Sequence, residues 1–164
     1  MAFRADVPVL LASTTLGSDA ASVNFASISQ LFTTLRIEYS AQSTRANVYD
    51  YISFRLNGDT ASSYYCTSDA VNTMGSFAII TSATNPLLSW STGNGTITRY
   101  ASTGVKSLVG IGGTNTAGTT PYNILFNGLT TVWTGTAAVT SITLLPYYGP
   151  NFLSGSVFRL YGYP

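Results

Sequence analysis

The sequence predicts an all-β fold, a single antiparallel β-sandwich of about 8 to 10 strands with little or no helix. Apolar and polar residues alternate through most of the chain, which is the pattern of strands with one buried face. Gly, Pro, Asn and Ser separate the alternating segments, and apolar residues at helical spacing are nearly absent. The 164 residues are within the size of one domain, so residues 1–164 are assigned to one sandwich.

Four strands are predicted in the N-terminal part of the chain, at residues 9–16, 21–25, 34–41 and 49–56. In the third strand, Leu35 and Ile37 fall on one face, whereas Arg36 and Glu38 fall on the other. The fourth ends at Asn57-Gly58-Asp59, a turn signal because Asn and Gly tolerate a positive φ angle. Residues 27–32 are predicted to form a short helical turn between the second and third strands.

Six more strands are predicted at residues 77–82, 95–100, 106–111, 122–126, 139–145 and 156–161. Two glycine clusters also occur here, Gly93-Asn94-Gly95 and Gly110-Ile111-Gly112-Gly113. Neither is followed by a helix start or by the lysine of a phosphate-binding loop, so both are predicted as ordinary β-turns.

The chain carries few charges for its length. Seven Lys or Arg and six Asp or Glu make up 8% of the residues and leave a net charge of +1, whereas an ordinary soluble domain has about 25% charged residues. No sustained positive field is expected, which argues against nucleic acid or an anionic membrane as a partner. A neutral polar surface resists self-association poorly, so we expect other copies or partners to cover much of it.

No N-terminal segment combines a basic region with a long apolar run, so no secretory signal is predicted. No apolar run approaches the roughly 20 residues that span a bilayer. Cys66 is the single cysteine and cannot form an intramolecular disulfide. It is predicted to be a small buried side chain.

Catalytic and metal-binding groups are scarce. The chain has no histidine, which removes the histidine-dependent triads and histidine-ligated metals. A glycosidase needs two facing carboxylates, and the acidic residues are Asp6, Asp19, Glu38, Asp50, Asp59 and Asp69. Each has a simpler place in a turn or along a strand, although a calcium site using Asp50, Asp59 or Asp69 is an alternative. We therefore predict no enzymatic activity, no bound metal and no cofactor.

Aromatic residues make up 13% of the chain, and tyrosine dominates them. Tyr147 and Tyr148 precede Gly149-Pro150 and are predicted to form an exposed turn at an interface. Phe3 and Arg4 are further interface candidates, in an N-terminal arm over residues 1–8 that is placed to reach a neighbour. Trp90 and Trp133 are candidates for stacking on a sugar, although an isolated tryptophan in a β protein more often fills the core.

Two parts of the chain resemble β-sandwich domains of virion proteins from tailed bacteriophages, and together they cover about a third of it. The first part runs from residue 21 to residue 65 and contains Ser27-Ile28-Ser29-Gln30-Leu31-Phe32, Ser43-Thr44-Arg45, Phe54-Arg55-Leu56-Asn57-Gly58-Asp59 and Tyr64-Tyr65. The second is the closing Gly155-Ser156-Val157-Phe158-Arg159-Leu160-Tyr161-Gly162. The resemblance implies a jelly-roll-like sandwich, homotrimeric, made in the host cytoplasm and displayed on the virion.

Two positions on a virion agree with this resemblance. Tail-fibre relatives carry such a domain after a long attachment region, whereas almost nothing precedes the first predicted strand here. We therefore expect a capsid decoration, or cement, protein that binds the major capsid protein and stabilises the shell. The alternative is a tail or fibre-tip module that recognises a receptor or surface glycan of the host. A polysaccharide-degrading enzyme would require two of the carboxylates to converge.

Overall fold

The computed structural model describes residues 7–66, 71–84, 89–115 and 124–164. Over these residues the chain is all-β, with strands, turns and no helix, as predicted. The strands are β1 (Val9–Thr15), β2 (Val23–Phe25), β3 (Thr34–Ser43), β4 (Tyr49–Leu56), β5 (Tyr64–Cys66), β6 (Val71–Asn72), β7 (Gly75–Ser82), β8 (Ser91–Thr98), β9 (Lys106–Asn115), β10 (Ile124–Trp133), β11 (Ile142–Pro146) and β12 (Val157–Tyr163). No helix able to cross a membrane occurs in the described part of the chain.

The strands form two layers, as in a sandwich. The larger layer has the order β1-β12-β3-β8-β9-β10-β5-β6, and the smaller has the order β2-β11-β4-β7. The layers join where the end of β3 pairs with β7, through Gln42 opposite Thr81 and Ser43 opposite Ser82. This short pairing is parallel, a local departure from the antiparallel pairing that the sequence predicts. The other pairings are antiparallel among the described strands.

The core lies between the layers and is built from the inward residues of the alternating strands. In β3, Leu35 and Ile37 are fully buried, as the alternation predicts. Aromatic rings fill the centre in edge-on and tilted pairs, with the centroid of Phe54 5.8 Å from that of Tyr64 and 6.1 Å from that of Phe77. These rings touch strands of both layers, so they fix how the layers sit on each other.

Two pairs of glycines bring the layers into unusually close contact. Gly93 pairs with Gly112, and Gly95 pairs with Gly110, across β8 and β9. A β-carbon at Gly110 would overlap the carbonyl oxygen of Phe77 and lie 2.8 Å from its β-carbon. The backbone of β7 therefore rests on Gly110 and Gly112 of β9, and the ring of Phe77 rests on Gly95 of β8. The prediction that these glycines form β-turns is wrong, because both clusters lie within the strands β8 and β9.

Three local predictions also differ from the structure. Residues 27–32 form bends in place of a helical turn, with Ser27 at a φ of 53° and the N–H of Ile28 bound to the oxygen of Thr140. The strands β5 and β6 were not predicted, which brings the described strands to twelve against about eight to ten. Cys66 is half-buried, with its sulfur 3.2 Å from the hydroxyl of Thr131.

The turn after β4 is confirmed. Asn57 and Gly58 both have positive φ angles, of 54° and 69°, and the N–H of Asp59 donates to the oxygen of Leu56 at 3.0 Å. The Asn57 side chain also donates to the oxygen of Ala138 and accepts from the N–H of Thr140, each at 2.8 Å. One residue therefore closes the turn and ties it to the segment that leads into β11.

We expect the protein to lose stability in alkali because of its buried tyrosines. Burial raises the pKa of Tyr64 from 10 to about 12, and burial also raises the pKa of Tyr39. A raised folded-state pKa means that the stability is fully present below pH 10 and is lost as the pH rises towards 12. For Tyr64 alone, the loss corresponds to about 2 kcal/mol.

Urea unfolding at pH values from neutral to 12 measures this effect. The variant Tyr64→Phe removes one titrating group, so the fall in its free energy of unfolding with pH is expected to be shallower than in the wild type. A free energy of unfolding that stays level from pH 10 to 12 would contradict the assignment of these tyrosines to the core.

Candidate functional site

Four tyrosines and one arginine gather at one end of the smaller layer. Tyr49 and Tyr51 lie at the start of β4, and Tyr147 and Tyr148 directly follow β11. Arg45 lies in the loop between β3 and β4. These five residues are called the Tyr–Arg patch. Tyr148 is 58% exposed and the other four residues are partly buried, so each side chain packs on the protein and is also accessible to solvent.

The rings of the Tyr–Arg patch contact one another in edge-to-face and tilted pairs. The centroids of Tyr147 and Tyr148 are 4.5 Å apart at an interplanar angle of 75°. Tyr51 lies 6.4 Å from Tyr147 and 6.3 Å from Tyr148, and it also contacts Tyr49 at 5.8 Å. Aromatic pairs favour such offset and T-shaped arrangements, which hold each ring in one orientation.

Arg45 crosses the patch and joins its two halves. Its guanidinium carbon lies 4.2 Å from the ring centroid of Tyr148 and 5.8 Å from that of Tyr49. One guanidinium nitrogen donates to the backbone oxygen of Tyr49 at 3.0 Å. The cation–π contact and the hydrogen bond together hold a long side chain that would otherwise sample many rotamers.

Asp50 fixes the loop that carries Tyr148. Its side chain is fully buried, and its Oδ1 accepts from the N–H of Tyr51 at 2.8 Å and from the N–H of Tyr148 at 3.0 Å. Its Oδ2 accepts from the N–H of Gly149 at 2.9 Å. A buried carboxylate that accepts several N–H groups resembles a cap, and it ties the turn after β11 to the start of β4.

Sequence reasoning placed Asp50 in a strand and gave it no role in the interface. A signal was present, because Asp50 has the same phase in β4 as Ile52, Phe54 and Leu56, all of which are buried. An acidic residue on the inward face of a strand needs partners. Here those partners are backbone N–H groups of a loop almost a hundred residues further along the chain.

The chemical groups of the Tyr–Arg patch are phenols and one guanidinium. Burial, followed by the neighbouring Tyr49 and Tyr148, raises the pKa of Tyr51, so its phenol stays neutral at ordinary pH. Phenol hydroxyls, apolar ring faces and one guanidinium are the groups that a partner would meet. Tyr147 and Tyr148 lie in the turn after β11, and their role at an interface stays a prediction, whereas Phe3 and Arg4 lie outside the described residues.

The two tryptophans occupy different environments. Trp133 is only 4% exposed, and its indole N–H donates to Oδ2 of Asp59 at 2.7 Å. The ammonium of Lys106 lies 5.9 Å from its ring centroid. Because neither ring face is open, Trp133 is a core residue and the hypothesis that it stacks on a sugar is wrong. Trp90 is 42% exposed just before β8, so its role remains a prediction.

The described carboxylates are dispersed and have local partners. Glu38 lies 3.2 Å from the guanidinium of Arg36, and Asp19 accepts from the N–H of Ser154 at 2.8 Å. The indole N–H of Trp133 and the N–H of Ala61 hold the pKa of Asp59 below its usual value. Asp6 and Asp69 lie outside the described residues. Within the residues that are described, no three acidic or sulfur ligands gather at one point.

A shallow depression on the larger layer is a weaker candidate than the Tyr–Arg patch. It encloses about 240 Å³ and is lined by Thr34, Arg36, Thr96 and Tyr163. Small-molecule sites usually enclose about 300–1,000 Å³ and are mostly apolar. The depression is smaller than that range, and its one guanidinium already faces Glu38.

No protein-family model matches this chain, and a search of curated proteins finds no match to it. The all-β, sandwich-like fold is therefore established by the structure alone, and the resemblance to virion domains remains a prediction.

Proposed function

We propose that this chain is a structural protein of a tailed-phage virion, a capsid decoration protein that attaches to the shell through the Tyr–Arg patch. The observation that carries this proposal is the preorganisation of the patch. Its rings contact one another, its arginine is stacked on Tyr148, and its loop is tied to the buried carboxylate of Asp50. The resemblance of the sequence to virion domains supplies the biological setting.

Tyrosine and arginine are the residue types that supply much of the binding energy at protein interfaces. Each tyrosine offers a large ring with only two side-chain torsions, so little conformational entropy is lost when it is covered. In the patch, even this loss is reduced, because neighbouring rings already fix the orientation of Tyr51 and Tyr148. A partner protein therefore gains contact area without first ordering the surface.

The low charge of the chain supports a structural role in an assembly. With 8% charged residues, covering the surface removes few charged groups from water. Decoration of a shell buries surface shared between neighbouring subunits, so that separating the subunits also breaks the added contacts. If several copies act together, weak individual contacts produce durable attachment.

The variant Tyr148→Ala tests this role of the patch. Purified protein is mixed with particles of its phage that lack it, and the bound fraction is measured by co-sedimentation over a range of concentrations. Loss of a central interface tyrosine costs about 2 kcal/mol, so affinity for the particles is expected to fall about 30-fold. Wild-type affinity in this variant would contradict the assignment of the patch.

Leu31→Ala is the matched control. Leu31 is 88% exposed in the segment between β2 and β3. Phe25, at the end of β2, pairs with Ile142, which also pairs with Leu56 at the far end of β4 from Tyr49. Leu31 is therefore an exposed apolar side chain at the opposite end of the layer, and removing it is expected to leave binding to the particles unchanged.

The tail or fibre-tip alternative is supported by a different observation, the exposure of Trp90. Its ring edge lies beside Gly155, and 42% of the residue is exposed. An exposed indole offers a flat apolar face for a sugar ring of a host glycan. If this alternative holds, Trp90→Ala abolishes binding of the protein to host cells. The wild type then does not bind the capsid, so Tyr148→Ala changes nothing in the capsid-binding measurement.

A further inference from the structure

The larger layer presents an apolar surface to solvent on its outer side. Along β9, the inward Leu108 is buried, whereas Val109 is 50% exposed and Ile111 is 43% exposed. Phe126 in β10 is 72% exposed, and Tyr65 in β5 is 48% exposed. These four residues, Tyr65, Val109, Ile111 and Phe126, are called the apolar outer face.

Strand register places the four residues on the same side of the sheet. Phe126 is opposite Gly113, which follows Ile111 by two positions on β9. Tyr65 is opposite Val132, and Val132 shares its side of β10 with Phe126 because the two are separated by an even number of positions. The apolar outer face therefore extends across three neighbouring strands.

The outer side of the same layer is different on β3 and β12. There the outward positions hold Arg36 and Glu38, and Arg159 lies opposite Glu38. Such polar outward residues are the usual result of alternation in a sheet with one solvated face. The outward Val, Ile and Phe of β9 and β10 depart from that pattern. The inward residues of these strands already form the core with the other layer, so packing within the chain does not require the outward residues to be apolar.

The extent of the apolar outer face matches the centre of a protein interface. The exposed fractions of its four residues correspond to about 400 Å² of solvent-accessible surface. This area is within the range of the largest apolar patch on a monomeric protein. A stable interface covers about 800 Å² on each partner, with an apolar centre and a polar rim. The outward residues beside it are neutral and suit such a rim, namely Asn94, Thr96, Ser107 and Thr130.

We propose that the apolar outer face binds a second copy of this chain. Among the described outward residues of β5, β8, β9 and β10 there is no charge, so a charged partner would gain nothing and would lose hydration. A second copy of this chain presents the same apolar and uncharged face. In a two-fold interface the same patch occurs on both sides, so the two faces match each other.

This inference does not depend on the proposed function. The apolar outer face lies on the larger layer, and the Tyr–Arg patch lies at the end of the smaller one. Copies joined through the apolar outer face thus keep their Tyr–Arg patches free. If the chain does bind a virion, self-association would give the bound unit two Tyr–Arg patches and increase its avidity.

Sedimentation equilibrium of the purified full chain, without phage particles, tests the proposal. We expect the wild type to self-associate, and Phe126→Ser to weaken the association at least 30-fold, because the most exposed ring of the face is lost. Leu31→Ser, a change at a residue that is 88% exposed and outside the face, is the control and should associate like the wild type.

A second variant, Ile111→Thr, keeps a β-branched residue in β9, so it is expected to fold like the wild type. It therefore distinguishes loss of the interface from misfolding. It is expected to weaken association about tenfold while unfolding in urea at the wild-type midpoint when both proteins are dilute enough to be monomeric. A wild type that remains monomeric up to about 100 µM, whatever else the face binds, overturns the proposal. An unchanged association constant in both face variants overturns it as well, and neither result bears on binding to particles through the Tyr–Arg patch.

Discussion

Replacing Gly110 by alanine is expected to lower the free energy of unfolding by about 3 kcal/mol or more, because the two layers cannot accommodate one added methyl group. The methyl group would overlap the carbonyl oxygen of Phe77, and its other close neighbours are the β-carbon and a ring carbon of the same residue at 2.8 Å. A backbone oxygen cannot rotate away as a side chain can. The strand β7 must therefore move off β9, and its movement exposes the core around Phe77.

Gly128→Ala is the matched control for Gly110→Ala. Gly128 lies in the adjacent strand β10, where the nearest atom to an added β-carbon is the oxygen of Gly110 at 4.0 Å. We expect its free energy of unfolding to change by less than about 0.5 kcal/mol, as for other exposed substitutions. Urea unfolding of both variants makes the comparison. Equal effects at the two positions would show that close packing of the layers is not the reason for these glycines.

Asp50→Ala is expected to have the second largest effect, a loss of about 3 kcal/mol together with loss of the ordered Tyr–Arg patch. The substitution leaves three backbone N–H groups without their acceptor, those of Tyr51, Tyr148 and Gly149. The near-ultraviolet circular dichroism of the tyrosines reports the patch, since it depends on fixed ring orientations. Its intensity should fall at temperatures where the variant is still folded.

Asp50→Asn separates the hydrogen bonds from the volume of the side chain. The amide keeps one oxygen, which can accept from Tyr51 and Tyr148 as Oδ1 does, but it places an NH₂ group against the N–H of Gly149. We expect a free energy of unfolding between that of the wild type and that of Asp50→Ala. Binding to particles is expected to be weaker than in the wild type. If Asp50→Ala binds particles as well as the wild type does, the loop held by Asp50 is not part of the binding surface.

Alternation was sufficient to predict most strands because one face of each strand is buried. Residues 49–56 were predicted as a strand, and β4 spans those residues, since Ile52, Phe54 and Leu56 face the core while Tyr51 and Arg55 do not. The turn at Asn57 could be predicted for a local reason, the preference of Asn and Gly for positive φ. In both cases the information lies within a few residues.

Features that depend on distant parts of the chain could not be predicted in this way. Gly95, Gly110 and Gly112 lie in strands that pack closely against β7, and the sequence of a single strand does not show what packs on it. Short strands such as β5, over Tyr64–Cys66, have too few residues to show a period. The parallel pairing of Gln42 with Thr81 depends on how the two layers meet.

The same distinction holds for the candidate site. Tyr147 and Tyr148 were predicted because two adjacent tyrosines before Gly149 and Pro150 indicate an exposed turn. Arg45 and Asp50 were missed as parts of that site, because about a hundred residues separate them from the turn. The inward phase of Asp50 in β4 was the one available signal. It indicates that a buried carboxylate needs partners, and it does not indicate which partners those are.

Cryo-electron microscopy of phage particles that lack this protein, imaged after adding the purified wild type or Tyr148→Ala, tests the proposed function most directly. We predict regular added density over the capsid lattice with the wild type, with the Tyr–Arg patch facing the shell, and little or none with Tyr148→Ala at the same concentration. Density confined to the tail, or a bare particle together with binding of the protein to host cells, would contradict a decoration protein.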